Sequence, residues 1–251
     1  MDSIRLNHYL ALSGVASRRA ADTLIEEGGV KVDEKIIKTL GTKVDPLTQK
    51  VYIRTGESSQ WQLVEEVKEK ATYILYKPKG YTTTLKAQGG ERTILEFIPR
   101  GKRLFPVGRL DKESEGMLIL TNDGDLSLKL THPSTHVEKT YQVWCRMPQD
   151  YTQNAVESQL GRIRHGIKLD GKKTMPMNIK VTDTQKGTVD LEIVLKEGRN
   201  RHIRRILGRI NLEVLKLIRT KIGTLSLNDL ELKEGEILQL TPEQIQHVMG
   251  N

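Results

Sequence analysis

With 251 residues, the chain can form one large domain, or a small and a medium one, whose cores need no disulfide or metal. Forty lysines and arginines against 32 aspartates and glutamates give a formal charge of +8, which favours a polyanionic partner, nucleic acid first. The single cysteine, Cys145, excludes a disulfide framework and a cysteine-based zinc site. The sequence has neither a basic leader before an apolar run nor a stretch of ~20 apolar residues, so we expect a cytoplasmic protein with no membrane partner.

The N-terminal segment predicts two helices and a short sheet. Leu6, Tyr9 and Leu10 recur at helical spacing until Ser13 and Gly14 end the first helix. Ser17 is placed to cap a second helix, which Gly28 and Gly29 end. The expected apolar face of that helix comprises Ala20, Ala21, Leu24 and Ile25. Strands are predicted at 30–32, 36–37 and 51–53.

A change of composition marks a domain boundary. Residues 56–60 are small and polar and residues 64–70 are charged, so we predict a small domain (1–60), a linker (61–72) and a larger domain (73–251). Alternation of apolar and polar residues predicts a strand-rich larger domain. Its expected strands are 73–76, 117–120, 137–145, 177–181, 188–195, 214–218 and 237–240, with a helix between 200 and 210. In the strand 137–145, Lys139 and Tyr141 point to the same face, because side chains repeat every second residue.

Positive charge is concentrated between residues 196 and 221, which carry nine cations and two anions. On the predicted helix, Ile203, Ile206, Leu207 and Ile210 form an apolar face. Arg201, Arg204 and Arg205 fall at i, i+3 and i+4 on another face, without acidic partners at i±4 within that helix. Such a run is either a solvated surface or an anion site for phosphate or carboxylate, and we favour the anion site.

Arg18 and Arg19 lie in the first turn of the second helix, where the helix dipole disfavours cations by roughly 0.3–1 kcal/mol each. A phosphate beside the free N–H groups of a helix N-terminus would reverse this cost, as an RNA backbone would. The alternative is a frayed, solvated turn.

The segment 105–116 is a candidate for chemistry. Asp111 follows a predicted strand between the cations Arg109 and Lys112, so its carboxylate is expected to stay ionised. Such an aspartate is either a covalent nucleophile that needs an orienting cation, for which Arg204 is a candidate, or an ordinary turn or cap residue. Spacing alone leaves both open.

The sequence gives no support for a metal or an organic cofactor. His132 and His136 are four residues apart, but Pro133 breaks the helix that a shared metal face would need. The phosphate-binding glycine loop and the strand–GxGxxG–helix unit are both missing from the sequence. We therefore expect no metal and no cofactor.

Five motifs in order give the chain a specific resemblance that covers almost its whole length. They are Arg5-Leu6-Asn7 with 14–20 and a following Gly-Val-Lys-Val, Tyr76-Lys77-Pro78-Lys79-Gly80, 108–111 with 114–116 and 120–125, Lys139-Thr140-Tyr141, and 197–205. The sequence resembles the ribosomal-RNA pseudouridine synthases of the RsuA/RluB type, with a small RNA-binding domain of the ribosomal small-subunit-protein type. His202 departs from the pattern, since the family usually carries glutamine there.

The resemblance implies an α+β protein: a small N-terminal RNA-binding α+β module followed by a catalytic domain with a mixed, largely antiparallel sheet flanked by helices. It implies isomerisation of uridine to pseudouridine in ribosomal RNA, without cofactor, the large subunit being favoured. Asp111 would be the nucleophile, attacking C1′ or C6, and Arg204 would pair with it. Tyr141 would stack on the target base, and Arg109 would fill the gap left by the flipped uridine.

The resemblance and the basic residues together give the expected RNA contacts. These residues are Arg5, Arg18, Arg19, Lys77, Lys139, Arg199, Arg201 and Arg205. The expected partner is ribosomal RNA or an immature ribosomal particle, with no DNA, and the expected state is a monomer. Two alternatives stay open: a non-catalytic RNA-binding or ribosome-assembly protein on the same fold, and a DNA-binding helix-turn-helix in the N-terminal helix pair.

Overall fold

The computed structural model describes residues 3–54, 60–65, 69–86 and 89–250. The chain divides into two units, Met1–Lys70 with Asn122–Gly124, and Ala71–Thr121 with Asp125–Asn251. Among the helices of these described ranges, none is long and apolar enough to cross a membrane.

The smaller unit combines two helices with short strands. In chain order its elements are β1 (Ile4–Arg5), α1 (Leu6–Leu12), α2 (Arg18–Glu26), β2 (Val30–Val32), β3 (Lys35–Ile37), β4 (Lys43–Val44), β5 (Val51–Ile53) and β6 (Gln62–Leu63). The strands β3, β2, β5 and β6 form an antiparallel sheet in that order, and β1 pairs with β4.

The predicted start of α2 is confirmed, because the Ser17 side chain accepts a hydrogen bond of 3.2 Å from the backbone N–H of Ala20. The predicted apolar face is narrower than expected. Ala21 and Ile25 are buried in the small core, whereas Ala20 is exposed because it falls on the solvent side of the first turn.

The segment predicted as a linker begins with ordered structure. Gln62 and Leu63 pair with β5, and the backbone carbonyl of Val64 accepts a 3.2 Å hydrogen bond from the Tyr9 hydroxyl. Val64 is 6% exposed. Val64 is buried in the core of the small unit. Because burial of this apolar side chain is favourable, residues 62–64 pack on the small unit.

The larger unit is built on one extended sheet. Its elements are β7 (Thr72–Lys77), β8 (Phe105–Pro106), β9 (Glu115–Thr121), α3 (Gly124–Thr131), β10 (Lys139–Arg146), α4 (Gln153–Arg164), β11 (Lys168–Leu169), β12 (Lys172–Lys173), β13 (Asn178–Gln185), β14 (Thr188–Leu195), α5 (His202–Gly208), β15 (Glu213–Ile222), β16 (Leu225–Ser226), α6 (Leu227–Leu230), β17 (Ile237–Gln239) and α7 (Pro242–Met249). Two 3-10 helices, Ile94–Phe97 and Pro133–Thr135, lie in its connections.

Within the described part of the chain, nine strands make this sheet. The order is β13-β14-β10-β15-β9-β7-β17, with β16 beside β15 and β8 beside β9. The contact between β15 and β9 is parallel and the other pairings are antiparallel. The predicted mixed, largely antiparallel sheet is therefore confirmed.

Helices cover both faces of the sheet, and β9 shows why. Its residues are all buried, with Leu118 and Leu120 in one apolar core and Met117 and Ile119 in the other. The first core includes apolar residues of α4 and α5, and the second those of α3, α6 and α7. Because β9 is buried on both sides, the end of the loop that precedes it is fixed in position.

Candidate active site

One cavity in the larger unit brings the predicted catalytic residues together. It has a volume of about 350 Å³ and is lined by residues from the 107–114 loop, β10, the segment 198–204 and β15. Arg109, Asp111, Tyr141 and Arg204 all line it. They come from three segments that are far apart in sequence, and the sheet order β10-β15-β9 brings these segments to one place.

The loop that carries Asp111 is fixed through its backbone. Each carbonyl from Leu110 to Ser114 accepts a hydrogen bond within the unit. In order, the donors are Thr83 Oγ1 (2.7 Å), the Ser114 N–H (3.0 Å), the Gly80 N–H (2.8 Å), Arg204 Nη2 (2.9 Å) and Lys77 Nζ (2.8 Å). Thr83 Oγ1 also accepts from the Leu110 N–H at 3.2 Å. A carboxylate on such a backbone starts from a defined position, which is what preorganised catalysis requires.

The side chain of Asp111 is partly exposed at the cavity. Among the described residues, none forms a hydrogen bond or an ion pair with this carboxylate. Its oxygens are therefore open to a ligand while its backbone is held in place.

The predicted RNA contact of Lys77 is wrong. The side chain is fully buried, and its Nζ donates to the carbonyls of Pro78 (2.9 Å) and Ser114. Burial lowers the pKa of Lys77 to about 8, against the opposing effect of Glu115. Because strand β7 turns this residue into the interior, Lys77 supports the Asp111 loop and cannot reach RNA.

Arg204 also differs from expectation. It forms no direct ion pair with Asp111 in the described chain. Instead Nη1 donates to the Val214 carbonyl and Nη2 to the Glu113 carbonyl, both at 2.9 Å. Burial, and then the charge of Arg201, lower the pKa of Arg204. The guanidinium thus joins β15 to the Asp111 loop through backbone oxygens.

Lys139 and Tyr141 share one side of β10, as their spacing predicts, and both line the cavity. Tyr141 is 8% exposed, so its ring forms part of the wall. Lys139 is half-buried and its Nζ donates to the Val137 carbonyl at 2.7 Å. Burial, followed by the charge of Arg219, lowers the pKa of Lys139 to about 8.

Two predicted RNA contacts near α5 are engaged by the protein itself. The Arg199 guanidinium donates to the carbonyls of Leu169, Lys172 and Lys173 and pairs with Glu197 at 3.2 Å. Arg205 forms a bidentate salt bridge with Asp170. The acidic partner comes from the β11–β12 turn, beyond the i±4 positions that the helix pattern covers. The cations therefore fasten this hairpin to α5, and Arg199 also lines the cavity.

Arg201 and Arg109 retain exposed side chains at the cavity. Arg201 has a left-handed backbone, φ +47°, at the position before α5. Arg109 follows Gly108, whose φ is +75°. These two guanidiniums are available to a ligand that enters from solvent.

Residues 71–208 match the family model described as RNA pseudouridylate synthase, and residues 4–47 match the S4 domain. The chain belongs to the RNA pseudouridylate synthase family. Ribosomal large subunit pseudouridine synthase B of Bacillus subtilis (strain 168) is similar to this synthase, with 35% identity over 97% of this chain and 95% of that protein. These findings confirm the predicted family and enzyme class.

Further comparisons agree. The dual-specificity RNA pseudouridine synthase RluF of Escherichia coli (strain K12) is 35% identical over 97% of this chain and 77% of that protein. A crystal structure of a pseudouridylate synthase has a TM-score of 0.66 at 27% identity, and the match covers 98% of this chain and 100% of that chain.

His202, which replaces the glutamine usual in the family, lies in the interior of the larger unit. His202 is 5% exposed, and its Nε2 lies 3.6 Å from Glu197 Oε1. Burial lowers the pKa of His202, which favours the neutral ring. The imidazole is placed beside the carboxylate that also accepts from the Met175 N–H at 2.8 Å.

The remaining predicted RNA contacts, Arg5, Arg18 and Arg19, lie in the small unit. All three are exposed, Arg5 at the N-terminus of α1 and the other two in the first turn of α2. Their location agrees with the S4 match over residues 4–47. In the described ranges, no group of three or more histidine, cysteine, aspartate or glutamate side chains is arranged to hold a metal ion.

Sequence reasoning missed two residues of the site. Arg219 appeared only as one cation of the basic stretch, although its alternation with Leu217 along β15 indicated a shared face. Thr83 gave no signal, because the run Thr82-Thr83-Thr84 does not distinguish the hydroxyl that binds Leu110.

Proposed function

We propose that this synthase isomerises a uridine of ribosomal RNA, in the large subunit. Two observations support this substrate. The Bacillus subtilis relative is named for the large ribosomal subunit, and the basic segment around α5 places positive charge beside the cavity.

In the proposed reaction, the C1′–N1 glycosidic bond breaks, the base turns, and C1′ bonds to C5. The C5 proton leaves to solvent and N1 gains one, so the product is an isomer of the substrate. Asp111 is the nucleophile, toward C1′ or C6. The observation that carries this assignment is its unpaired carboxylate in the cavity, on a loop whose backbone is held from residue 110 to 114.

Other lining residues take supporting roles. Tyr141 stacks on the flipped base, as its largely buried ring in the cavity wall suggests. Arg109 fills the gap in the RNA, which suits an exposed side chain at the cavity edge. Arg204 orients the Asp111 loop through the Glu113 carbonyl. Lys139 and Arg201 contact the RNA at the cavity, and Arg5, Arg18 and Arg19 contact it from the small domain.

The proposal includes the domain assignment: a small RNA-binding domain (1–60), a linker (61–72) whose first residues pack on that domain, and the catalytic domain (73–251). It also includes a cytoplasmic monomer that does not act on DNA.

The test is tritium release from unmodified transcripts of the large and small ribosomal RNAs labelled at C5 of uridine, with immature ribosomal particles in parallel. We expect release from the large-subunit RNA or particle. Release from the small-subunit RNA alone would contradict the substrate assignment. Tight RNA binding with no release from any substrate would favour the assembly-factor alternative.

A further inference from the structure

Arg219 is a buried cation at the cavity that the proposed reaction has not used. It lies on β15 directly opposite Tyr141 of β10, so the two side chains share one face of the sheet. It is 5% exposed and lines the same cavity as Asp111. A charged side chain at this depth needs hydrogen-bond partners.

One end of the Arg219 guanidinium forms a hydrogen bond within the protein, and the other end has a donor without a partner among the described residues. Arg219 Nε donates to the Met117 carbonyl of β9 at 2.7 Å. Arg219 Nη2 is buried and has no hydrogen-bond partner among the described residues. The Nε bond fixes the plane of the group, and the Nη2 donor is then available to an acceptor that the chain does not supply.

Gly116 makes this placement possible. It faces Arg219 across the parallel contact of β9 and β15 and has φ +103°. A Cβ at this position would lie 2.3 Å from the Arg219 carbonyl oxygen. The glycine therefore lets β15 approach β9 closely enough for the Arg219 side chain to reach Met117.

The neighbouring charges favour an oxygen acceptor. The charge of Arg219 contributes to the lowered pKa of Lys139, and no carboxylate is among the causes that act on Lys139. Two cations that face one cavity repel each other until an electron-rich group lies between them or beside them. The other charged groups at this cavity are Asp111 and the arginines 109, 199, 201 and 204, and the Asp111 carboxylate forms no bond to Arg219.

We propose that Arg219 binds the target nucleotide by donating a hydrogen bond from Nη2 to one of its acceptor oxygens, either a uracil carbonyl or a non-bridging phosphate oxygen. The Lys139 ammonium group also attracts that oxygen electrostatically. The inference rests on the proposed function, because it requires a uridine nucleotide in this cavity.

The experiment pairs Arg219→Gln with modified RNA. Transcripts tritiated at C5 carry uridine, 4-thiouridine, 2-thiouridine, or uridine with a 5′ phosphorothioate, and single-turnover release is measured with each. Arg146→Gln is the matched control, because Arg146 pairs with Glu213 on the exposed end of β10, away from the cavity. Melting temperatures of all variants accompany the rates.

We expect Arg219→Gln to lower kcat/KM on normal RNA by ~10- to 100-fold, the effect of losing a hydrogen bond from a charged donor, while Arg146→Gln leaves it unchanged. One of the sulfur substitutions will slow the wild type. On that transcript Arg219→Gln will cause little further loss of rate, and this identifies the oxygen that Arg219 contacts.

Losses of rate that multiply on all three modified transcripts would overturn the assignment of Arg219. So would activity of Arg219→Gln equal to that of Arg146→Gln. If Arg219→Gln does not fold, Arg219→Lys takes its place in the same comparison. The absence of release by the wild type would overturn the proposed function itself.

Discussion

Replacing Thr83 by valine removes two hydrogen bonds from the Asp111 loop with little change of shape. The Thr83 hydroxyl donates to the Leu110 carbonyl at 2.7 Å and accepts from the Leu110 N–H at 3.2 Å. Leu110 is 6% exposed, so water replaces these bonds poorly. At a net contribution of ~0.5–1.5 kcal/mol for each bond, we expect the free energy of unfolding to fall by about 1–3 kcal/mol.

The loss of activity is expected to exceed the loss of stability. Asp111 follows Leu110, and a displacement of about 1 Å at a nucleophile costs ~100-fold in rate. We therefore expect kcat for tritium release to fall by ~10- to 100-fold at nearly unchanged RNA affinity. Urea unfolding and single-turnover release measure the two effects in the same variants.

Thr84→Val is the matched control for Thr83→Val. Among the described residues, the Thr84 hydroxyl accepts a hydrogen bond from the Lys86 N–H alone, at 3.2 Å within its own loop. We expect it to change stability by less than ~0.5 kcal/mol and to keep wild-type activity. If Thr83→Val turns over as fast as Thr84→Val, the backbone hydrogen bonds of Leu110 do not position the nucleophile.

Substitutions at three further places test the roles of Tyr141, of Lys77 and of the Arg18–Arg19 pair. Tyr141→Phe is expected to retain far more release activity than Tyr141→Ala if stacking on the base dominates, and equal losses would assign the effect to the hydroxyl. Burial holds the pKa of Lys77 at about 8, below its ordinary 10.5, so between these values the unfolded chain binds more protons than the folded one. The free energy of unfolding contributed by Lys77 therefore rises with pH across that window, by at most ~1.4 kcal/mol per unit. Urea unfolding at pH 7.5 and 9.0 should show a smaller rise for Lys77→Met than for wild type, and an identical rise would contradict the burial argument. Glutamate at Arg18 and Arg19 together should weaken RNA binding and reduce the slope of log K against log salt by about 1.5, whereas an unchanged slope would remove both from the interface.

The local elements could be predicted because their signals are local. Ser17 caps α2 as its sequence position indicates, and the alternation of 188–195 gives β14 its observed bounds. Helix α4 was not predicted, although Thr152 caps it and Val156, Leu160 and Ile163 follow helical spacing. The sequence therefore contains the signal for α4, although the polar residues between these positions make it weak.

The partners of the charged residues could not be predicted, because they come from distant segments. Asp170 reaches Arg205 from a hairpin 35 residues earlier in the chain. Lys77 looks like a surface cation in a basic motif, but the register of β7 against β9 places it opposite Gly116, in the interior. A sequence pattern shows which residues share a face, whereas the pairing of faces depends on the packed sheet.

In the proposed mechanism, Asp111 performs the chemistry. Asp111→Asn keeps the residue's size and leaves the backbone bonds from 110 to 114 intact, so the variant should fold and bind ribosomal RNA as the wild type does. We predict that its tritium release from C5-labelled RNA falls by roughly 10³-fold or more. Release within about tenfold of wild type, at equal RNA affinity, would show that Asp111 is not the nucleophile and contradict the proposed mechanism.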